Sequence, residues 1–193
     1  MNFRRLIFIL SFIPVCVIAQ PANQTLAEIK KGLELEWKSI SKWADSAKNT
    51  VEILPADSLR SIEAFRQSSV LRQSILSAIV LNTGGILVDN GWIRIMASGH
   101  ECLDRALLLW NKYPFDDREL PGYTVIGDDA IGGYFLLNSG GLGTDPGNIY
   151  YFSPASLEYE PMGLNYAGFL QFCFNGDLNK FYKGYRWKSW QDD

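Results

Sequence analysis

The 193-residue sequence contains a single histidine, His100, and only three cysteines. A structural zinc site takes about four histidine or cysteine ligands, and a nucleophilic triad needs a histidine base beside its serine or cysteine. Cys102 lies two residues after His100, and residues at that spacing point to different faces of a helix. We therefore predict no metal, no cofactor and no histidine-based catalytic centre.

The sequence has no excess of positive charge, since it contains 18 Lys and Arg residues and 21 Asp and Glu residues, for a net charge of −3. Proteins that bind nucleic acid or anionic membranes present a basic patch or stripe. The composition therefore predicts no nucleic-acid partner. We expect the partner to be another protein.

One long apolar run occurs, from Leu6 to Ala19, directly after a pair of arginines. It is too short to cross a bilayer of about 30 Å as a helix. A positive start, an apolar stretch and small residues at Val17 and Ala19 are typical of a signal peptide. We predict cleavage after Ala19 and export to the periplasm or the medium.

Residues 1–19 then form the signal peptide, and residues 20–193 form one domain with no transmembrane segment. An uncleaved anchor and a lipoprotein with lipid on Cys16 are the alternatives. Cys102 and Cys173 remain after cleavage. They could form one disulfide in an oxidising compartment, or remain two buried thiols. We favour thiols because both cysteines fall on predicted helices among apolar residues.

Apolar residues recur at spacings of three and four through the first half of the chain, which predicts helices. Thr83-Gly84-Gly85 is expected to end the third of them. The segment from Asn49 to Asp57 is expected to be an extended linker. The predicted helices cover residues 25–46, 58–65, 68–82 and 102–110.

The second half alternates in the manner of strands. Asn90-Gly91 predicts a tight hairpin turn, since both residues tolerate positive φ. Asn165 is expected to cap a helix to about Phe174, and a last helix runs to Tyr185. Helices, then consecutive strands, then closing helices indicate an α+β fold with a mainly antiparallel sheet. The predicted strands are 86–88, 92–95, 123–126, 133–137, 148–152 and 157–159.

Several motifs resemble known families. The order of Gly127-Asp128, Gly132-Gly133, an apolar strand and Ile149-Tyr150 is similar to the core of SMI1/KNR4-like (SUKH) proteins, many of which are bacterial immunity proteins. A longer resemblance, from about Trp37 to Trp190, is to an uncharacterised bacterial family, the DUF2625-like proteins. It implies a fold and no activity. It is carried by Val51 to Asp57, Thr83 to Trp92, Asp128-Asp129, Gly132-Gly133, Pro146-Gly147, Tyr151 to Pro154, and Gly176 to Tyr182.

Asp128 and Asp129 end a predicted strand before a glycine pair. Paired carboxylates could bind a partner, ligate a cation or act as acid and base. The other interpretation is a turn in which aspartate accepts backbone hydrogen bonds. We expect Gly132 and Gly133 to be structural, and expect Asp→Asn changes to affect folding less than Gly→Val changes.

A glycine-rich segment, Ser139 to Gly147, follows the next strand. It lacks the lysine and the following helix of a phosphate-binding loop. We predict a mobile surface loop that contacts a partner. The candidate binding residues in and beside it are Asn138, Ser139, Gly141, Thr144 and Asp145.

Aromatic residues are plentiful, and exposed ones could bind a peptide or a sugar. We assign Trp37, Trp92, Trp110, Tyr151 and Phe152 to the core. The better surface candidates are Tyr185, Trp187 and Trp190.

Our first functional hypothesis is an exported, non-enzymatic protein-binding module that uses the two loops. The alternatives are a hydrolase using Asp128 or Asp129 with a metal or water, and a scaffold protein of the cell envelope. The shortage of catalytic partners favours the module.

Overall fold

The computed structural model describes residues 26–67, 74–111 and 122–191. Seven helices and seven strands occur in this part of the chain. The helices are α1 (Leu26–Gly32), α2 (Glu34–Asp45), α3 (Ser58–Gln67), α4 (Ile75–Asn82), α5 (Leu107–Trp110), α6 (Tyr166–Asn175) and α7 (Leu178–Phe181). The strands are β1 (Val51–Pro55), β2 (Thr83–Val88), β3 (Ile93–Met96), β4 (Tyr123–Asp129), β5 (Tyr134–Asn138), β6 (Asn148–Phe152) and β7 (Tyr159–Asn165).

The strands form one sheet in the order β1-β2-β3-β4-β5-β6-β7, and every neighbouring pair is antiparallel. The α+β class with an antiparallel sheet is thus confirmed. The β2–β3 turn has positive φ at Asp89, Asn90 and Gly91, as the Asn-Gly pair predicts. The Asn165 side chain accepts a hydrogen bond from the Gly168 amide, which confirms the predicted cap.

One face of the sheet is packed against helices, which we call the core face. Residues paired across antiparallel strands point to the same face. A row of paired residues therefore crosses the sheet, and its members in β2, β3, β5 and β6 are buried. Buried residues of α2, α4 and α6 join the same core. The row consists of Ile53, Ile86, Ile95, Gly127, Phe135, Tyr151 and Glu160.

The opposite side of the sheet, which we call the open face, carries a second row. Its middle members are charged, and its members in the last three strands are aromatic. Alternation along each strand thus places Asp128 on the open face and Asp129 on the core face. The row consists of Glu52, Leu87, Arg94, Asp128, Tyr134, Phe152 and Tyr159.

The segment from Ser98 to Trp110 covers the open face over β2. A Cβ atom at Gly85 would lie 2.4 Å from Cδ2 of Leu103. Glycine is needed here because this segment approaches the strand closely. The third helix ends at Asn82 with Thr83 as its C-cap, as predicted, but β2 begins at Thr83 rather than at Ile86.

Three other element predictions need correction. The first predicted helix divides at Leu33, which has φ −112° and ψ 13°. The predicted linker contains β1, an edge strand that ends at Pro55, where a missing N–H is tolerated. The helix predicted from Cys102 is only α5, because the His100 imidazole accepts the Cys102 amide and holds a turn.

Other boundaries also differ from those predicted. Tyr159, not Leu157, begins the last strand, because Leu157 has a positive φ of 58°. The last helix ends at Phe181 rather than Tyr185. The predicted start of the third helix falls at residues 68–73, outside the described residues.

The C-terminal segment closes against the β2–β3 turn. The Arg186 guanidinium pairs with Asp89 and lies 4.2 Å from the Trp190 ring centroid and 5.0 Å from that of Trp92. Trp92 is buried, as predicted. Trp190 packs against the core, whereas Trp187 is exposed. These contacts attach the chain end to the sheet.

No helix among residues 26–67, 74–111 and 122–191 is both long enough and apolar enough to cross a membrane. The predicted signal peptide lies outside the described residues.

Candidate functional site

An aromatic groove lies on the open face over β4 to β7. Its cavity volume is about 320 Å³, near the lower end for ligand pockets. Strands β4, β5, β6 and β7 and helix α5 each supply a side chain. The groove is lined by Trp110, Tyr123, Val125, Tyr134, Leu136, Phe152 and Tyr159.

Ring contacts hold the groove walls in place. The Trp110 and Tyr134 ring centroids are 6.0 Å apart at one side. Tyr159 lies 5.1 Å from Phe152 and 5.9 Å from Tyr123, although β4 and β7 are separated by two strands. Trp110 is 37% exposed and Tyr159 is 45% exposed. The walls are therefore aromatic rings that contact one another and remain accessible to a ligand.

The prediction that Trp110 lies in the core is wrong, because Trp110 forms this accessible wall. Phe152 is only partly buried and belongs to the groove as well. Of the other aromatics assigned to the core, Tyr151 is buried, and Trp37 is partly buried and packs against the core. The sequence pattern does not distinguish two apolar faces of one sheet.

Asp128 joins the groove to an ion cluster. Arg94 donates two hydrogen bonds to its carboxylate, at 3.1 and 2.7 Å, and Arg105 donates one at 2.8 Å. The Arg105 guanidinium carbon also lies 5.1 Å from the Trp110 ring centroid. Asp128 is buried beside Tyr134, its cross-strand neighbour. Its carboxylate therefore positions the arginine that supports one groove wall.

Asp129 is buried on the core face in a separate network. One oxygen accepts the amides of Ile131 and Gly133, at 3.1 and 2.7 Å. The other accepts the hydroxyls of Tyr151 and Tyr182, at 2.7 and 3.0 Å. Burial, together with the nearby Asp129 carboxylate, raises the pKa values of the Tyr151 and Tyr182 phenols far above the ordinary value for tyrosine. Asp129 thus connects β4, β6 and the C-terminal segment.

The segment from Ser139 to Gly147 is exposed over most of its length, and its neighbour Asn138 is buried. The Asn138 side-chain oxygen accepts the backbone amides of Gly140 and Leu142, and its side-chain nitrogen donates to Asp145 at 3.1 Å. These bonds brace the loop from within.

Asp145 anchors the far end of the same loop. Its carboxylate accepts hydrogen bonds from the Tyr150 hydroxyl at 2.7 Å and from the Asn148 side-chain amide at 3.1 Å. The hydrogen bond from Tyr150 is the main reason that the pKa of Asp145 is lowered. Ser139, Gly141 and Thr144 are exposed on the loop surface. The loop candidates thus cluster together, whereas Asp128 and Asp129 lie on opposite faces of the sheet.

A second, larger cavity of about 640 Å³ lies between α3 and the segment from Ser98 to Trp110. His100 and Arg105 are among its lining residues, and Trp110 lines both this cavity and the aromatic groove. Within the described residues, no three His, Cys, Asp or Glu side chains are grouped to hold a metal. Cys102 is exposed and Cys173 is buried, and both are free thiols. The disulfide alternative is therefore wrong, and of the two thiols only Cys173 is buried as expected.

Comparison with known proteins places the chain among proteins of undetermined activity. The family model described as "Protein of unknown function DUF2625" matches residues 26–193. An uncharacterised protein of Haemophilus influenzae is 38% identical over 172 residues, covering 88% of this chain and 75% of its own length. A putative uncharacterised protein of Escherichia coli, YbfG, is 40% identical over 159 residues, covering 81% and 72%.

No solved structure matches the chain. The resemblance to SMI1/KNR4-like proteins therefore remains a prediction.

Proposed function

The chain belongs to DUF2625, a family whose description assigns no activity, and we propose that it is an exported protein-binding module whose docking surface is the aromatic groove. The observation that carries this proposal is the set of accessible rings over β4 to β7. Aromatic side chains are enriched in the central part of protein interfaces. They offer a large contact area at a low cost in conformational entropy.

The groove is suited to part of an extended chain. Its volume of about 320 Å³ is too small for a folded element and large enough for a few side chains. The neighbouring ion cluster adds polar contacts at one end. The hydrolase hypothesis has less support, because three or four hydrogen bonds already occupy each of Asp128 and Asp129.

Substitution of Tyr159 by alanine should abolish or strongly reduce capture of protein partners from the periplasmic or secreted fraction of the host. The phenol ring forms a wall of the groove and touches Phe152 and Tyr123. Truncation of an aromatic residue at the centre of an interface typically costs about 2 kcal/mol or more, roughly a thirtyfold loss of affinity. The measurement is quantitative mass spectrometry of proteins captured on the immobilised mature chain.

Tyr185→Ala is the matched control. It removes the same side chain at the same 45% exposure, but from a position outside the groove. Equal loss of partners in both variants, or retention of all partners by Tyr159→Ala, would reject the groove as the docking surface.

Export is the second element of the proposal and has its own test. The arginine pair, the apolar run and Ala19 predict a mature chain that begins at Gln20. Intact-mass analysis of protein purified from its native host should give that mass. A chain that retains Met1, or that carries lipid on Cys16, would contradict cleavage after Ala19.

A further inference from the structure

We infer that the groove recognises an extended peptide segment in which apolar side chains are followed or preceded by an aspartate or glutamate, whose carboxylate binds Arg105. This inference rests on the proposed binding function and adds the chemistry of the partner. It is carried by the positive charge and the free hydrogen-bond donors of Arg105, which binds Asp128 on β4 next to the aromatic residues of the open face.

The ion cluster beside the groove is unbalanced. Among the residues that the structure describes, Arg94 and Arg105 share the single carboxylate of Asp128, so one of the two positive charges has no carboxylate of its own. Both arginine side chains are 24% exposed and Asp128 is 5% exposed. The surplus charge therefore lies at the surface, where an anionic partner group can reach it. A partly desolvated charge pair is also stronger than a fully hydrated one.

Arg105 has the donors for such a group. A guanidinium carries five N–H donors, and Arg105 uses its Nε to bind Asp128. Within residues 26–67, 74–111 and 122–191, its two terminal nitrogens donate to no protein atom. The stacking on Trp110, at 5.1 Å, fixes the plane of the guanidinium. A planar guanidinium with two free terminal nitrogens matches the two oxygens of a carboxylate.

The groove and Arg105 meet at Trp110. Trp110 lines both the aromatic groove and the larger cavity, and Arg105 lines the larger cavity and stacks on that ring. The larger cavity is also lined by Arg60 and by three acids, Glu63, Glu101 and Asp104, which would repel a carboxylate that entered from their side. Among the described residues, the groove is lined by aromatic and aliphatic side chains. An acidic residue next to apolar residues on one peptide strand would satisfy both surfaces together.

The test uses a displayed library of random dodecapeptides, each joined to the display protein at its carboxyl end, so that only side-chain carboxylates are available. Selection against the mature chain should enrich peptides that combine aromatic, leucine or proline residues with Asp or Glu. A selected peptide, synthesised with an amidated end, should lose at least about tenfold in affinity when its acidic residue is changed to the amide. This measurement needs no variant of the protein.

Arg105→Gln should lower the affinity for the acidic peptide by a similar factor. It should not lower the affinity for the amide version of that peptide any further. Arg60→Gln is the control, because Arg60 lines the larger cavity as Arg105 does but pairs with Asp57 rather than with Asp128 beside the groove. Thermal melts of both variants establish that they are folded. If Arg105→Gln does not fold, the peptide pair on the unmodified chain still decides the question.

The outcomes separate the inference from the proposed function. Selected peptides that need Tyr159 but contain no enriched acid, or that bind equally as acid and amide, overturn the inference and leave the binding function standing. Failure to enrich any peptide that depends on Tyr159 overturns both. Binding of a glycan or a free carboxylate to the groove, when no peptide is enriched, would also overturn the peptide assignment.

Discussion

Replacement of Asp129 by alanine is expected to lower the free energy of unfolding by at least about 4 kcal/mol. The change leaves two buried phenols and two amides without their acceptor. Each unsatisfied buried donor costs about 1–3 kcal/mol, and relief from burying a charge offsets part of the total. For a chain of this length, the melting temperature should fall by roughly 10 °C or more. Calorimetry or circular dichroism measures the change.

Asp177→Ala is the control for this experiment. Asp177 is exposed and caps α7 through one hydrogen bond to the Lys180 amide, at 2.9 Å. Loss of such a cap costs about 1 kcal/mol. Asp129→Asn should lie between the two, since it keeps the shape and loses the charge. Melting of Asp129→Ala within about 2 °C of the unmodified chain would show that the network contributes little to stability.

The burial of Asp129 changes the expectation from the sequence that aspartate substitutions here affect folding less than glycine substitutions. A strand-end Asp-Asp pair before two glycines is typical of a solvated turn, in which an Asp→Asn change has little effect on folding. The structure places the two side chains on opposite faces, where each serves a different network. Asp128 positions Arg105 beside Trp110, and Asp129 joins β4 to β6 and to Tyr182 in the C-terminal segment.

Local signals were sufficient for much of the fold. The Asn-Gly pair between two apolar runs predicts the β2–β3 hairpin because the turn needs positive φ at both positions. Asn165 before an apolar helix predicts the cap of α6. The antiparallel sheet follows from consecutive strands joined by short turns. Each of these features depends on residues that are neighbours in the sequence.

The groove depends on register instead. Tyr134, Phe152 and Tyr159 lie side by side because Tyr134 pairs with Phe152, and Phe152 with Tyr159, across β5, β6 and β7. Trp110 meets Tyr134 only because the segment before it returns across the open face. A one-residue slip would move these rings to the core face. Composition shows that aromatics are plentiful, but it does not show which of them remain accessible.

Gly133 provides the second large expected effect, because a side chain at this position collides with the Asp129 network. A Cβ atom at Gly133 would lie 2.2 Å from the Tyr151 hydroxyl and 2.5 Å from two of its ring carbons. Tyr151 would have to leave its bond to Asp129 and its contact with Phe135, at 5.1 Å. We expect Gly133→Ala to cost about 3 kcal/mol, and Gly133→Val more.

Gly132→Ala is the neighbouring control. A Cβ atom there meets nothing within 4 Å, and only the positive φ of 90° opposes it. Its cost should be about 1–2 kcal/mol. In a Tyr151→Leu background the collision at Gly133 is relieved, so Gly133→Ala should lose more than half of its effect there, while Gly132→Ala should keep its own. Additive costs for Gly133→Ala and Tyr151→Leu in thermal or urea unfolding would mean that the glycine acts through its backbone and not through the tyrosine.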